Sequence, residues 1–222
     1  MVSIITCTIR QKTIRNVFKN YKNQNYKEKE LLIILNKDNM SIRKWKKRAE
    51  RHKNVSVYQL PERYTLGRCL NFAIGKVKYD IIAKFDDDDY YAPHYLTQAI
   101  ESMKQHNADV VGKSEFFTYM ERLKMLVVRK SGRIAGATLV FKKKVWEKVK
   151  FSSVKVGSDT AFKKGCLKHG FKIYDTDKYN FTHIRKKNPE DHTWLISERE
   201  YLKKSTLVVY TKHFKSLVEA PD

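Results

Sequence analysis

Short apolar runs alternate with helical segments along the first half of the chain. The apolar runs are rich in β-branched residues and predict buried strands at Val2 to Cys7, Leu31 to Leu35, Val55 to Tyr58 and Ile81 to Phe85. The segments between them predict helices, the second of which is strongly basic, at Thr13 to Tyr21, Ser41 to Arg51 and Tyr64 to Val77. Strands that are apolar on both faces and alternate with helices indicate a mostly parallel sheet covered by helices.

The pattern changes after Val111. Before that point a helix begins at Pro93, since proline is favoured in a first helical turn, and ends near Met103. Beyond it, short strands of a smaller antiparallel sheet are predicted at Phe116 to Tyr119, Leu123 to Val128, Gly136 to Phe141, Phe171 to Tyr174 and Tyr179 to His183. Short helices are predicted at Val145 to Val149, Ser158 to His169 and Glu198 to Lys204. Without a linker or repeat, we predict one α/β domain, 1–222, with halves 1–112 and 113–204 and a tail, 205–222.

Four consecutive carboxylates, Asp86 to Asp89, follow the fourth predicted strand. Alternate side chains of an extended chain point the same way, so Asp86 and Asp88 are expected on one side. Carboxylates at that spacing suit Mg²⁺ or Mn²⁺, whose other ligands are water and phosphate oxygens. A solvated acidic turn is the alternative, but the position after an apolar strand in a basic chain favours a metal. Thr8 and Asn36 also follow strands, and the carboxyl ends of parallel strands form one ligand site.

Charge and cysteine content narrow the class of partner and the compartment. The chain of 222 residues has 46 Lys and Arg against 24 Asp and Glu, a net charge of +22. This charge favours an anionic partner: a nucleotide, a phosphate-bearing polymer, an anionic membrane or nucleic acid. Three widely spaced cysteines form neither a zinc motif nor a disulfide framework. With no signal peptide and no long apolar run, we predict a cytoplasmic protein, with peripheral contact to anionic membranes as an open possibility.

Five ordered landmarks between Val2 and Lys204 carry a resemblance to a known family. They are Ser3-Ile-Ile-Thr-Cys-Thr8 with Arg10, Glu30-Leu-Leu-Ile-Ile34 with Asn36, Leu66-Gly-Arg-Cys-Leu-Asn71, Phe85-Asp-Asp-Asp-Asp-Tyr-Tyr-Ala-Pro93 and Gly157-Ser-Asp-Thr-Ala-Phe162. In this order they resemble the family 2 glycosyltransferases with the GT-A fold, and are most similar to the spore-coat and cell-wall branch. The resemblance implies a single Rossmann-like GT-A domain whose first half binds a nucleotide sugar and whose second half binds the acceptor.

The resemblance also implies a reaction and its residues. The reaction is an inverting transfer from a UDP- or TDP-linked sugar, with Mn²⁺ or Mg²⁺ as cofactor. Asp159 matches the general base, and Asp88 matches the metal ligand, with Asp86 reaching the ribose and the ion. The residues matched to nucleotide-sugar binding are Thr6, Thr8, Arg10, Asn36, Arg68, Asp86 and Asp87. His183 is expected as a further metal ligand, and Arg185 and His192 as contacts to the diphosphate.

The chain departs from the family pattern at four positions. Cys7 stands where many members have Pro, and Arg10 where many have Asn. Asn36 replaces an Asp that reads the nucleobase, which loosens the inference of a UDP-sugar. Ser158 replaces the Glu that commonly precedes the base, so support of Asp159 by a neighbouring acid is in doubt.

Simpler interpretations exist for the same residues. Asp159 fits a helix N-cap, His183 fits a partly exposed strand end, and Arg185 fits a solvated basic loop. A rival function is binding of a polyanion or nucleic acid without catalysis, but it leaves Asp86 to Asp89 unexplained, because carboxylates repel a phosphate backbone. We therefore predict sugar transfer to a saccharide or a phosphate-rich polymer of a cell wall, capsule or spore coat, and no nucleic-acid partner.

Overall fold

The computed structural model describes residues 1–188 and 196–220. The strands are β1 (Val2–Thr8), β2 (Lys29–Leu35), β3 (Val55–Gln59), β4 (Ile81–Lys84), β5 (Tyr90–Tyr91), β6 (Val110–Gly112), β7 (Glu115–Met120), β8 (Met125–Lys130), β9 (Val140–Lys142), β10 (Ile173–Asp175), β11 (Phe181–Arg185) and β12 (Ser205–Tyr210). The helices are α1 (Ile14–Asn23), α2 (Ile42–Ala49), α3 (Leu66–Ile74), α4 (Tyr95–Gln105), α5 (Lys143–Lys148), α6 (Ser158–Lys168) and α7 (Glu198–Leu202).

The larger sheet has seven strands in the order β10-β6-β9-β4-β1-β2-β3. All its neighbouring pairs are parallel except those that β9 makes with β4 and β6. Ile4 packs with the helices α1, α2 and α4, whereas Ile5 packs with α3, α5 and α6. Both faces of β1 are buried in this way, so its sequence contains no charged residue and is made of apolar and small polar residues. The predicted helix-covered, mostly parallel sheet is confirmed.

The smaller sheet has five strands in the order β12-β8-β7-β11-β5. It is antiparallel except for the parallel pair of β7 and β11. Three segments differ from the prediction. The segment Phe171 to Tyr174, predicted in the smaller sheet, contributes to β10, which pairs in parallel with β6 in the larger sheet. The segment Gly136 to Phe141 forms a short 3-10 turn and then β9, which belongs to the larger sheet. Residues 205–222, predicted as a tail, contain β12, which pairs with β8 at the edge of the smaller sheet.

The two sheets meet at the four aspartates, here called the aspartate turn (Asp86–Asp89). The strand β4 of the larger sheet ends at Lys84, and the strand β5 of the smaller sheet begins at Tyr90. Asn16 Nδ2 donates to the carbonyl oxygens of Asp87 and Asp89, at 3.0 and 2.9 Å. The turn therefore has fixed backbone geometry at the carboxyl end of the parallel strands, where such folds bind ligands.

Candidate active site

The carboxylates of the aspartate turn face different partners. Asp87 is buried and faces the end of β1, where it accepts hydrogen bonds from the hydroxyls of Thr8 and Thr13 and forms an ion pair with Arg10. The same guanidinium lies 2.8 Å from Asp88 Oδ2. Asp86 and Asp88 line one cavity, together with Asp89. Arg10 thus neutralises part of the charge of the turn, and Asp87 holds the turn against β1.

Burial and the neighbouring negative charges raise the pKa values of two carboxylates in the turn. Burial raises the pKa of Asp88 to about 6, helped by the charge of Asp87 and opposed by Arg10. Burial also raises the pKa of Asp89, with the charges of its neighbours adding to the effect. Asp89 Oδ1 accepts a hydrogen bond from the Ile184 amide, at 2.9 Å, which ties the turn to β11. A turn with this excess of negative charge favours binding of a cation.

Lys84 is a site residue that the sequence patterns did not single out. Its side chain is 3% exposed, and its Nζ lies 2.5 Å from Asp86 Oδ1 and 3.8 Å from Asp159 Oδ2. Burial, the largest effect, lowers the pKa of this amino group, but Asp159 and Asp86 together raise it above its ordinary value. Lys84 is therefore a buried cation that joins the aspartate turn to the start of α6. The only sequence signal was a charge inside an apolar strand.

Asp159 is the second residue of α6, and the cap position is occupied by Gly157, whose φ is +90°. The interpretation of Asp159 as the helix N-cap is therefore wrong. Its Oδ1 is buried and has no hydrogen-bond partner within the described residues. A Cβ on Gly136 would lie 1.9 Å from Asp159 Oδ2, so only glycine leaves room for this carboxylate. Asp159 thus lines the cavity and keeps one buried acceptor atom that no described residue contacts by a hydrogen bond.

The cavity has a volume of about 530 Å³ and is lined by residues of the aspartate turn, of α6 and of the smaller sheet, including Asp86, Asp88, Asp159, His183 and Arg185. The Nδ1 atom of His183 lies 2.9 Å from the Tyr201 hydroxyl. Arg185 ends β11 and is 6% exposed, so it does not lie in a solvated loop. Its Nη2 donates to the Ile196 carbonyl, at 2.8 Å. His192 lies outside the described residues.

A ready-made metal site is absent from the described parts of the chain. In residues 1–188 and 196–220, no three His, Cys, Asp or Glu side chains are grouped closely enough to hold an ion. Asp86 and Asp88 offer two carboxylates to the cavity, and His183 lies on the same cavity without completing such a group. This set suits a hard divalent ion that takes most of its ligands from water and phosphate, as Mg²⁺ does. The role of His183 as a metal ligand stays a prediction.

The residues predicted to bind the nucleotide lie in three places. Thr6 and Thr8 are buried in β1. The backbone N–H of Asn36 donates to the Thr8 carbonyl, at 2.8 Å, so the ends of β1 and β2 are joined. The Asn36 side chain donates to the Pro61 carbonyl, also at 2.8 Å. Arg68, near the start of α3, stacks on Tyr64 at 3.7 Å from the ring centroid. No contact among the described residues joins Arg68 to the aspartate turn.

The fold and the site together define a GT-A type α/β protein with an acidic turn at the carboxyl edge of its sheet. The family model described as glycosyl transferase family 2 matches residues 3–164, and the chain belongs to this family. A similar curated protein is the O-antigen biosynthesis glycosyltransferase WbnJ of Escherichia coli, 35% identical over 137 residues. The match covers 55% of this chain and 54% of WbnJ, so the aligned region spans about half the length of that relative.

Solved structures share the fold at low sequence identity. S. aureus TarS 1–349 in complex with UDP-GlcNAc has a TM-score of 0.66 and 14% identity, over 91% of this chain and 63% of that one. The mannosyltransferase PcManGT from Pyrobaculum calidifontis, in complex with GDP-Man and Mn²⁺, has a TM-score of 0.61 and 16% identity, over 91% and 59%. Within the described part of this chain, no helix is long and apolar enough to cross a membrane.

Proposed function

We propose that this protein transfers a sugar, with inversion, from a nucleoside-diphosphate sugar to a hydroxyl of a saccharide or phosphate-bearing acceptor. The observation that carries the proposal is that Lys84 joins Asp86 to Asp159 and that both carboxylates line one cavity. The aspartate turn would hold the donor, and Asp159, some seventy positions later in the chain, would act on the acceptor. A polyanion-binding surface does not need such a pair of acidic groups facing one cavity.

Asp159 fits the role of general base by its contacts. Its Oδ2 lies 3.8 Å from Lys84, its Oδ1 has no hydrogen-bond partner in the described residues, and the carboxylate lines the cavity, where it would accept the proton of an acceptor hydroxyl. A positioned base of this kind contributes about 10²–10⁴-fold to the rate. The hydroxyl would attack the anomeric carbon from the side opposite the leaving diphosphate, and a single displacement of this geometry inverts the configuration.

A divalent cation fits the aspartate turn. Asp88 would hold it, with Asp86 contributing and His183 as a further ligand, and the donor diphosphate would complete its coordination. Burial is the main cause of the raised pKa of Asp88, and the charges of Asp87 and Asp86 add to it, so a bound cation would offset charge that Arg10 balances only in part. When bound, such an ion neutralises charge on the leaving diphosphate. PcManGT, with the same fold, is described in complex with Mn²⁺; we propose Mn²⁺ or Mg²⁺ here.

The nucleotide would bind across the ends of β1 and β2. Thr8, Arg10 and Asn36 lie at these ends and would contact the base and ribose, with Arg68 at the start of α3. Arg185, buried beside the turn, and His192 would contact the diphosphate. TarS is described with UDP-GlcNAc and PcManGT with GDP-Man, which supports a nucleotide-sugar donor. We propose a UDP- or TDP-sugar and, since WbnJ is named for O-antigen biosynthesis, a polysaccharide product made at the cytoplasmic side.

Titration of nucleoside diphosphates with and without Mn²⁺ tests the donor site. UDP and TDP should bind the wild-type protein more tightly with Mn²⁺, and Asp88→Ala should remove this difference. Asp80→Ala is the matched control, because Asp80 is exposed and lies at the opposite end of β4. Nucleic-acid binding that needs no metal and falls steeply with salt, without binding of nucleoside diphosphates, would contradict the proposal and favour the polyanion-binding alternative.

The variant Asp159→Asn separates donor binding from catalysis. The amide keeps the size of the carboxylate but cannot serve as a base at neutral pH. Donor binding should be retained, and transfer to any acceptor that the wild-type protein uses should fall by about 10²–10⁴-fold. Undiminished transfer by this variant would show that Asp159 has only a structural role.

A further inference from the structure

The cavity has charges of opposite sign on two sides. The acidic side consists of Asp159 and of Asp86, Asp88 and Asp89 from the aspartate turn. The other side is here called the cationic wall (Arg129, Arg133, Lys163 and Lys204). Its residues come from β8, the segment that follows β8, the helix α6 and the segment after α7. Arg185 borders the wall, because its guanidinium lies 5.1 Å from the centroid of the Tyr201 ring that Arg129 also contacts, and its neighbour Ile184 is tied to the aspartate turn.

Lys163 places the cationic wall next to the proposed base. It follows Asp159 by four positions on α6, and side chains at this spacing lie on the same helix face. Its Nζ donates a hydrogen bond to the Ile134 carbonyl. Burial lowers the pKa of Lys163, Asp159 raises it and Arg133 lowers it, so both of these charged groups are near its amino group. Asp159 therefore lies near two lysines, Lys84 and Lys163, and Arg133 lies near the second of them.

The outer residues of the wall carry charges that no ion pair among the described residues neutralises. Among the ion pairs of the described residues, none joins Arg133, Lys163 or Lys204 to an acidic side chain. Arg129 is 5% exposed, and its guanidinium lies 3.9 Å from the centroid of the Tyr201 ring. Several like charges facing one cavity repel each other, which is unfavourable unless an anion binds between them.

We propose that the acceptor carries an oxyanion, such as a phosphate, close to the hydroxyl that is glycosylated, and that the cationic wall binds it. The inference rests on the proposed function, because it takes Asp159 as the place of the acceptor hydroxyl. Lys163 is near that carboxylate on α6 and Arg133 lines the same cavity, whereas the donor diphosphate belongs at Asp86 and Asp88. Guanidinium and ammonium groups form strong, charge-assisted hydrogen bonds with phosphate oxygens. The cavity volume of about 530 Å³ is within the usual range for small-molecule sites.

Calorimetric titration with glucose, glucose 6-phosphate and inorganic phosphate tests the inference. The protein is first saturated with UDP and Mg²⁺, so that the donor diphosphate site is occupied, and ionic strength is held constant. Glucose 6-phosphate should bind the wild type at least about tenfold more tightly than glucose, and inorganic phosphate should compete with it. In the double variant Arg133→Gln/Lys163→Gln this preference should disappear, with UDP affinity unchanged.

Two further variants keep the test specific. Lys164→Gln is the matched control, because Lys164 is exposed, adjacent in sequence and outside the cavity lining, and it should keep the preference. Arg133→Gln alone changes an exposed residue, so it should fold normally and lose most of the preference even if the double variant does not fold. In an acceptor assay, Arg133→Gln and the double variant should raise KM for a phosphorylated acceptor and leave KM for the donor unchanged, whereas Lys164→Gln should change neither.

The outcomes distinguish this inference from the proposed function. Equal affinity for glucose and glucose 6-phosphate would overturn the inference, and so would phosphate binding that UDP abolishes, since the wall would then serve the donor. Failure of UDP to bind at all would instead overturn the proposed function and, with it, the acceptor assignment. In that case a preference for glucose 6-phosphate lost in Arg133→Gln would show an oxyanion site with a different purpose.

Discussion

At the scale of single residues, the site depends on one lysine that bridges two acidic groups. Asp88 and Asp159 are recognisable in the sequence because they belong to motifs, but Lys84 belongs to a strand whose other residues are apolar. Its contact with Asp159 joins residues 75 positions apart and depends on how α6 packs against β4. No local pattern contains that information.

Replacement of Lys84 by methionine keeps the length of the side chain and removes its charge. We expect kcat to fall by about tenfold to hundredfold, because Asp86 and Asp159 would repel each other and leave their present positions. Lys84→Arg restores a cation and should recover part of the activity. Steady-state kinetics with both variants checks this expectation, with donor affinity as a second readout. Full activity of Lys84→Met would contradict a positioning role.

Gly136→Ala probes the space around the base. The new Cβ would overlap with the Asp159 carboxylate, which must rotate away from Lys84 and from the cavity. Transfer should fall by about 10²–10⁴-fold, as in a protein without its base, while metal-dependent UDP binding is retained. Gly75→Ala is the control, because its Cβ would have no neighbour closer than 3.4 Å, and activity should not change. Normal transfer by Gly136→Ala would show that the carboxylate position is not critical.

At the scale of elements, the motif Leu66 to Asn71 has a role that the resemblance did not suggest. It was expected to contribute Arg68 to the nucleotide, but its other polar side chain fixes the segment before α6. Asn71 donates to the Phe151 carbonyl, at 2.8 Å, and accepts hydrogen bonds from the Phe151 amide and the Trp146 indole. A Cβ on Gly67 would lie 2.0 Å from the Ser152 carbonyl oxygen, so α3 packs closely against this segment.

Asn71→Ala should therefore destabilise the protein and disturb Asp159 indirectly. Loss of three hydrogen bonds, with a backbone amide and carbonyl left unsatisfied, should lower the free energy of unfolding by about 2–4 kcal/mol. Denaturant unfolding measures this difference, and Asn25→Ala, at an exposed position, is a control expected to have little effect. A change below about 0.5 kcal/mol would mean that other contacts hold the segment.

At the scale of the whole molecule, the excess of positive charge destabilises the folded state. The chain has a net charge of +22, and the groove between α1 and α2 is lined by Arg15, Lys44, Lys47, Arg48 and Arg51. Such repulsion destabilises a folded protein and is screened by salt, with a screening length of about 10 Å at 0.1 M. The charge supports solubility and attraction to anions, but it does not explain the fold.

Added sodium chloride should therefore stabilise the protein. Between about 0.02 and 0.5 M salt, we expect the unfolding temperature to rise by about 2–4 °C, equivalent to about 1 kcal/mol for a chain of this size. Thermal unfolding monitored by circular dichroism gives the result, and a neutral osmolyte at matched osmolarity is the control. A lower unfolding temperature in salt would show that specific ion pairs, such as those of Lys84 and Arg10, outweigh the general repulsion.

The sequence by itself determined the class of fold, the helix-covered parallel sheet and the family. These features depend on local periodicity and on ordered motifs, and both can be recognised without knowing how distant parts of the chain pack. The tertiary structure decided how β9 enters the larger sheet, how β12 completes the smaller one, and which charges meet in the cavity. Sheet partners and ion pairs join residues far apart in the chain, so their identity follows from packing. The contact of Lys84 with Asp159, and the cationic wall beside it, belong to this second group.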